Sequence, residues 1–213
     1  MNHIPTHNLL AEARPMTRRA VAKLRTRQIV LDAAKRLFTE RGYEPATVRD
    51  IATAAGMSTG AVFANFTDKA DLFNEVIVAD YEALAQRMRQ AAEGPVKVEE
   101  AILAVFNAGY EFHLPQLPLL QATVGVSWSH SAQAEARTRE GKNEVVAIVE
   151  GVLRQGVETG QLDKSMDVAL VADLLWQSYI ANFRFAVFDG WTLTQLRDRL
   201  ARQTAVVLAG FRA

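Results

Sequence analysis

The residues most suggestive of chemistry lie in the stretch Gly56-Met57-Ser58-Thr59-Gly60, which satisfies the pattern G-x-S-x-G. In α/β-hydrolases this pattern forms a sharp turn from a strand into a helix and exposes a nucleophilic serine. Here Ser58 follows residues 47–55, an alanine-rich segment with a helical pattern rather than a strand. His113 and His130, later in the chain, belong to no supporting motif. We therefore expect no catalytic residue and do not interpret the chain as an enzyme.

Metal and redox chemistry have no better support in the sequence. The chain contains no cysteine, which excludes disulfides and thiolate ligands and fits a reducing cytoplasm. His3 and His7 are four residues apart, but a tail without further ligands does not make a metal site. We expect no metal and no cofactor. No apolar run approaches the roughly 18 residues of a membrane span, so a cytoplasmic protein without membrane contact is expected.

The elements that must position any functional residue are all helical. Residues 26–41 carry an apolar stripe with helical spacing and end at Gly42. Further helices are predicted near residues 47–55, 58–65, 68–90, 98–113, 119–128, 132–159, 167–188 and 192–211, and no convincing strand occurs. The fold class is thus all-α with about nine helices. An N-terminal three-helix helix-turn-helix domain is followed by a larger C-terminal helical domain.

The charge is distributed unevenly along the chain. Residues 1–70 carry 11 Lys and Arg against 6 Asp and Glu, although the whole chain has zero formal net charge. Such asymmetry indicates an anionic partner, with nucleic acid as the first candidate, although a basic tail that only aids solubility is the simpler alternative. Residues 1–24 are predicted to be a flexible basic arm. Its Arg14, Arg18 and Arg19 either enter a minor groove or attract phosphates diffusely.

Residues 47–65 have the spacing of a helix-turn-helix. Thr47 and Asp50 are placed as a capping box, Gly56 allows the left-handed turn, and Ser58 caps the following helix. Ala52 is small where the two helices would cross. The third helix then presents its outer face, and its N-terminal residues can enter a major groove.

The segment "TVRDIATAAGMSTGAVFANFTDKADLF", residues 47–73, closely resembles the DNA-binding segment of the tetracycline-repressor (TetR) family of transcriptional regulators. The family pattern is roughly T-h-x-x-I-A-x-x-A-G-h-S-x-G-x-h-Y-x-x-F-x-x-K-x-x-L. The positions that match it are Ile51, Ala52, Ala55, Gly56, Ser58, Gly60, Phe66, Lys69 and Leu72. The preceding helix matches as well, so the resemblance covers about residues 25–73. The DNA-binding domain is accordingly placed at residues 25–70.

The resemblance implies a role for each matching position. Thr47 and Ser58 cap helices and approach phosphates, Thr59 and Ala61 face base edges, and Lys69 clamps a phosphate. The remaining DNA-binding candidates are Arg49, Gly60, Phe63 and Asn65. Asn65 stands where the family often has His or Tyr and can contact phosphate or adenine. Phe63 departs from the usual Tyr and lacks the hydroxyl that would bond a phosphate.

The resemblance implies that residues 71–213 form a helical effector-binding and dimerisation domain. Two helices, near residues 167–188 and 192–211, would form a four-helix interface with a second copy, the alternative being a purely internal core. The side chains predicted to line an effector pocket share an aromatic or polar character: Phe106, Tyr110, His113, Trp128, Trp176, Tyr179 and Phe183. They favour a hydrophobic or aromatic effector.

The resemblance implies a one-component regulator, most often a repressor. It would bind a palindromic double-stranded operator as a homodimer and be released by a small-molecule effector, with residues 68–90 as the lever. A helical binding protein that never contacts DNA is the competing class. That class explains the C-terminal helices but neither the basic first third nor the spacing of the turn.

Overall fold

The computed structural model describes residues 17–94, 97–126 and 132–212. Within these ranges the chain forms nine α-helices, a single 3₁₀ turn and no extended strand. The helices are α1 Arg18–Arg41, α2 Val48–Ala54, α3 Thr59–Phe63, α4 Lys69–Ala92, α5 Val98–His113, α6 Leu117–Val126, α7 Ala132–Glu158, α8 Val168–Asp189 and α9 Leu193–Ala209. The 3₁₀ turn Leu114–Gln116 joins α5 to α6 and accommodates Pro115 near its start. The all-α fold class is confirmed.

The first helix begins eight residues earlier than the predicted residue 26. Thr17 caps α1, its hydroxyl accepting from the Ala20 amide at 3.2 Å. Arg18 and Arg19 are therefore helical and exposed, so the last part of the predicted flexible arm is wrong for residues 18–24. The apolar stripe did not extend this far, which hid the helix. Arg14 and the rest of the arm lie outside the described residues.

Two short helices are held by their caps, because neither is long enough to be stable alone. The Thr47 hydroxyl accepts from the Asp50 amide at 3.1 Å, and the Asp50 carboxylate accepts in return from the Thr47 amide at 3.2 Å. The Ser58 hydroxyl accepts from the Ala61 amide at 3.2 Å. Gly56, between the helices, has φ +67°, a left-handed conformation that a side chain would disfavour.

The first hydrophobic core joins α1, α2, α3 and the first half of α4. Phe38, Tyr43 and Phe73 form its aromatic centre, with the rings of Phe38 and Phe73 edge to face at 5.1 Å. Leu119 of α6 is also buried in this core, and Ile77 of α4 marks its other limit. The predicted division after residue 70 thus separates two units that share α4 and touch again through α6.

The second core is built from α4, α5, α7, α8 and α9. The Tyr179 side chain of α8 reaches the α5 backbone at Gly109, where an added Cβ would lie 2.5 Å from the Tyr179 hydroxyl. This contact lets the Tyr179 ring stack among Phe106, Tyr110 and Phe183 at centroid distances of 4.8–5.2 Å. None of the described helices is both long and apolar enough to cross a membrane.

Candidate nucleic-acid interface and effector cavity

The turn and the third helix present a polar, accessible surface. Ser58, Thr59 and Gly60 are exposed, whereas Ala61 is half-buried. Val62, in the same helix, is buried against the core, and this contact fixes which face of α3 points outward. The arrangement can place the start of α3 in a major groove, as predicted for Thr59 and Ala61.

The start of α2 adds a second exposed edge beside the turn. The Thr47 hydroxyl donates to the Asp50 carboxylate at 2.6 Å. This bond, together with the one from the Thr47 amide, lowers the pKa of Asp50 below its usual value. Arg49 is exposed between them and supplies the positive charge that a phosphate requires.

Phe63, which departs from the family pattern, ends α3, and Asn65, which stands where the family often has His or Tyr, follows in the turn. Phe63 is 54% exposed, an unusual position for a large apolar ring. Asn65 turns back on its own helix and donates to the Ala61 carbonyl at 2.9 Å. This bond uses one of its two amide N–H donors, and its side-chain oxygen is buried without a hydrogen-bond partner.

Lys69 starts α4 and is held by the loop between α1 and α2. Its ammonium group donates to the Glu44 carbonyl at 3.1 Å and lies 4.1 Å from the centre of the Tyr43 ring. The Asp68 carboxylate caps the same helix by accepting from the Asp71 amide at 2.7 Å. Lys69 thus stands in the first turn of a helix, beside amides that attract anions.

A chain of ionic and aromatic contacts leads away from α3 into the rest of the molecule. The guanidinium of Arg27, in α1, lies 4.4 Å from the centre of the Phe66 ring, directly after α3. Arg27 also pairs with Glu75 of α4, and Glu75 pairs in turn with Arg137 of α7. Three helices therefore meet at one half-buried carboxylate.

A cavity of about 650 Å³ lies among α4, α5, α6, α7 and α8. Its described apolar wall consists of Ile77, Tyr81, Leu120, Val124, Trp176 and Ile180. The polar side chains that line it are Asp80, His113, Thr123, Thr138, Arg139, Lys142, Asn143 and Gln177. The volume is typical of a small-molecule site, and the walls combine apolar surface with polar groups, as such sites do.

Asp80, on the cavity wall, is the centre of a buried polar network. Lys35 of α1 pairs with it at 2.9 Å, and the Gln116 amide donates to it at 3.2 Å. His113 Nε2 lies 3.5 Å away, while His113 Nδ1 and the Tyr179 hydroxyl share a hydrogen bond of 2.8 Å. Burial raises the pKa of Asp80, but His113 and Lys35 outweigh it, and the pKa lies below its usual value. Asp80, a residue of α4, is therefore an anion that lines the cavity and pairs with α1.

The predicted effector residues divide into two groups. His113 and Trp176 line the cavity. Phe106, Tyr110, Tyr179 and Phe183 instead form the fully packed aromatic cluster next to it. They do not line the cavity because they are buried among one another in the core. The Tyr110 hydroxyl accepts from Asn182 at 3.0 Å. Trp128 lies outside the described residues.

Burial also keeps both tyrosine hydroxyls of this cluster protonated. Desolvation raises the pKa of Tyr110 and the pKa of Tyr179 above their ordinary values. Tyr110 and His113 lie one turn apart on α5 but do not bond the same atom. Each bonds a different partner on α8.

Several residues of the cavity were missed from the sequence. Asp80 carried a usable signal, since it falls on the buried stripe of α4 with Phe73, Ile77 and Leu84. A carboxylate on an apolar stripe indicates a partnered or functional group. Lys142 carried none, because lysine on an amphipathic helix is usually solvated.

The last two helices expose apolar side chains on their outer faces. Leu170, Leu174 and Phe188 of α8 are 56%, 48% and 65% exposed, and Val206 of α9 is 76% exposed. A groove of about 320 Å³ runs between the two helices, lined by Ser178, Arg199, Arg202, Gln203, Val206 and Val207. Exposed apolar rows of this kind mark contact surfaces.

Comparison with known proteins places these features in a known setting. Residues 30–76 match the family model described as bacterial regulatory proteins, tetR family. The chain is 29% identical over 158 residues to the HTH-type transcriptional repressor KstR2 of Mycobacterium tuberculosis, covering 70% of this chain and 77% of that protein.

Two solved structures share the fold. FadR of Bacillus subtilis, solved in complex with stearoyl-CoA, superposes with a TM-score of 0.74 at 18% identity, covering 86% of this chain and 98% of FadR. The structure of KstR2 of Mycobacterium tuberculosis gives a TM-score of 0.60 at 25% identity and covers 88% of this chain and 95% of its own.

Proposed function

We propose, from the premise that the chain belongs to the TetR family of bacterial transcriptional regulators, that it is a ligand-released repressor. A homodimer would bind a palindromic operator near a promoter through Thr47, Arg49, Ser58, Thr59, Gly60, Ala61, Phe63, Asn65 and Lys69. A small molecule in the cavity would then weaken that binding. A protein with this role works on chromosomal DNA in the cytoplasm.

The main support for the proposal is that Asp80 links the cavity to the DNA-binding domain, residues 25–70. Asp80 lines the cavity and also holds Lys35 of α1 at 2.9 Å. A shift of α1 would move Lys35 relative to Asp80. A ligand that contacts the wall at Asp80 would therefore bind with a different free energy before and after that shift. Such a difference is what an effector needs to shift a population from one state to another.

A second contact supports the same coupling from the opposite wall. Arg137 belongs to α7, whose neighbouring residues Thr138 and Arg139 line the cavity. Glu75 joins Arg137 to Arg27, which packs on Phe66 beside α3. Displacement of α7 by a ligand would therefore reach the recognition helix through one carboxylate.

Dimerisation through α8 and α9 is supported by their exposed apolar rows. Leu170, Leu174 and Phe188 follow one line along α8, and Val206 lies on α9 beside the groove between the helices. A two-fold axis would set these rows against their copies in a four-helix interface. The two recognition helices would then lie about 34–36 Å apart, one turn of DNA.

The proposal includes no enzymatic role for Ser58. Its hydroxyl is used as a helix cap, and α2 rather than a strand precedes it. A fluorophosphonate probe should leave Ser58 unlabelled. Labelling there would contradict the regulator and restore the hydrolase interpretation.

A gel-shift titration with the DNA upstream of the chain's own gene tests the proposal. The wild type should retard this fragment more strongly than an unrelated fragment of equal length. Thr59→Asp should abolish the shift by repelling phosphate, while the added charge at a helix N-terminus leaves folding intact. Thr194→Asp, in the first turn of α9, is the matched control and should bind normally.

Two results would sink the proposal. One is equal retardation of both fragments by the wild type. The other is a Thr59→Asp variant that binds like Thr194→Asp. Thermal melting of both variants shows whether a lost shift reflects DNA contact rather than unfolding.

A further inference from the structure

We infer that the cavity binds an amphipathic anion, a molecule with a carboxylate or similar acidic group along one edge and an apolar ring or chain along the other. The inference rests on the proposed function only in taking the cavity to be the effector site. It sharpens the expectation of a hydrophobic or aromatic effector by adding a charge.

The cavity has two chemically different sides. Thr138, Arg139, Lys142 and Asn143 come from α7 alone and have spacings of one, four and five residues, which place them on one helical face. The facing walls on α4, α6 and α8 contribute most of the apolar surface, namely Ile77, Leu120, Val124, Trp176 and Ile180, with one polar side chain from each helix, namely Asp80, Thr123 and Gln177. A ligand that fills the space therefore meets polar groups along one edge and mostly apolar groups along the other.

The sign of the ligand charge follows from how the charges of the wall are already paired. The carboxylate of Asp80 is held by Lys35 at 2.9 Å and also accepts from Gln116. It therefore has little attraction left for a ligand cation. Lys142 supplies positive charge on the α7 side and is held only by a long ion pair. Among the described lining residues, the carboxylate of Asp80 is thus closely paired, whereas the ammonium group of Lys142 is not.

Lys142 is the cation best placed to accept a new anionic partner. Its ammonium group lies 3.8 Å from the Asp173 carboxylate, close to the limit of an ion pair, and Asp173 is half-exposed. Such a pair contributes little to stability. An acidic ligand in the cavity can therefore take over the Lys142 ammonium while Asp173 returns to water.

The apolar side supplies the rest of the recognition. Trp176 is 3% exposed and packs on Tyr179 at a centroid distance of 5.3 Å, so its ring is fixed. A fixed aromatic wall orders a flat or extended apolar group without paying much conformational entropy. The cavity of about 650 Å³ accommodates a molecule of ordinary metabolite size.

Two fluorescent dyes with the same ring framework test the inference. 8-Anilinonaphthalene-1-sulfonate carries an acidic group, and N-phenyl-1-naphthylamine lacks it. Both are titrated into the folded full chain without DNA, for the wild type and for Lys142→Gln, Lys142→Arg and Lys164→Gln. Lys164, exposed in the loop before α8, gives the matched loss of one charge outside the cavity.

Lys142→Gln should weaken binding of the sulfonate about tenfold and of the neutral dye less than twofold, because only the sulfonate loses a charge-assisted bond. Lys142→Arg and Lys164→Gln should leave both affinities near those of the wild type. Comparing the two dyes cancels the general effect of apolar binding. Melting curves confirm that each variant is folded.

Three results would overturn the inference: equal weakening of both dyes by Lys142→Gln, an equal loss with Lys164→Gln, or no binding of the sulfonate by the wild type. These readouts need no DNA. A chain that binds the dyes as expected but never retards its upstream fragment contradicts the proposed repressor alone. A chain that retards the fragment but fails the dye test contradicts this inference alone.

Discussion

In α2 and α3 the polar side chains bond residues at most four positions away, whereas the buried network beside the cavity joins residues far apart in the sequence. The Ser58 hydroxyl caps α3 by accepting from an amide only three residues away. His113, by contrast, bonds Tyr179 across 66 positions of sequence, and Asn182 bonds Tyr110 across 72. The helix-turn-helix surface is thus formed by local contacts on a small core. The cavity is formed by contacts that exist only once the whole chain has folded.

This difference predicts where each region is vulnerable. An exposed cap contributes about 1 kcal/mol, and its loss leaves groups that water can satisfy. A buried network must be satisfied completely, because an unpartnered polar group in the interior costs more than its bond contributed. Substitutions in the buried network beside the cavity should therefore lower stability. Substitutions on the exposed surface of the helix-turn-helix should lower DNA affinity and leave the fold intact.

The largest effect is expected from Gly109→Ala. The new Cβ would lie 2.5 Å from the Tyr179 hydroxyl and 2.9 Å from Cζ, and Tyr179 cannot shift without breaking its bond to His113. We expect a loss of about 3 kcal/mol in the free energy of unfolding, measured by urea denaturation. Gly151→Ala is the control, because nothing lies within 4 Å of its Cβ in α7. It should stabilise the chain by about 0.5 kcal/mol.

A Gly109→Ala variant as stable as the wild type would contradict the tight contact between Gly109 and the Tyr179 side chain. It would also contradict the rigidity of the aromatic cluster beside the cavity. A destabilised Gly151→Ala would instead show that α7 tolerates less than its open surface indicates.

The next effect is expected from Asp80→Asn, which removes the charge that Lys35 and His113 face while keeping the shape of the side chain. Breaking a buried ionic network costs several kcal/mol, and the partial exposure of Lys35 reduces the loss to about 2 kcal/mol. Asp198→Asn, at an exposed pair with Arg202, is the control and should change stability by less than about 0.5 kcal/mol.

The effect of Asp80→Asn should also depend on pH. The folded-state pKa of Asp80 is lowered, so its contribution is complete above the unfolded-state pKa of about 3.9. The contribution is lost as the pH falls through the lower folded-state value. The difference in stability between wild type and Asp80→Asn should therefore shrink as the pH falls below about 4. A difference that grows over this acidic range would contradict the assignment of Asp80 as a stabilising anion.

Local chemistry is also what a sequence can predict. The capping box at Thr47, the turn at Gly56 and the cap at Ser58 depend on neighbours within three residues, and all three were predicted and are confirmed. The ends of α5, α7 and α8 were likewise set by nearby turns and breaks. The start of α1 was missed because Arg18 to Arg25 lack the apolar stripe, and a polar helix without a stripe has no periodic signal.

The cavity could be predicted only in part, for the same physical reason. Aromatic residues on buried stripes indicate a packed region, but whether Tyr179 faces a cavity or the interior depends on α5, which approaches it at Gly109. The pairing of Asp80 with Lys35 joins helices that no local pattern relates. Its position on the apolar stripe of α4 was the one available hint.

In the DNA-binding region, Lys69→Ala should weaken operator binding about tenfold for every sequence tested. A lysine that contacts a phosphate contributes to affinity and not to the choice of base. The slope of the logarithm of affinity against the logarithm of salt concentration should decrease in magnitude by about one, because one fewer counterion is released on binding. Lys164→Ala is the control, and thermal melting shows whether loss of the bond to Glu44 disturbs the fold. An unchanged salt slope would show that Lys69 serves only to hold the loop.

The smallest effect is expected from Phe63→Tyr, and it separates the two regions most cleanly. Phe63 is 54% exposed, so an added hydroxyl meets water in the free protein and should change stability by less than about 0.5 kcal/mol. If the ring faces the DNA backbone, as the position implies, the hydroxyl gains a phosphate bond and affinity should rise about threefold. Tyr179→Phe, the reverse change inside the cluster, removes the partner of His113 and should lower stability without that compensation. Equal operator affinities for wild type and Phe63→Tyr would move Phe63 off the DNA-facing surface and leave Thr59 and Ala61 as the contacts of α3.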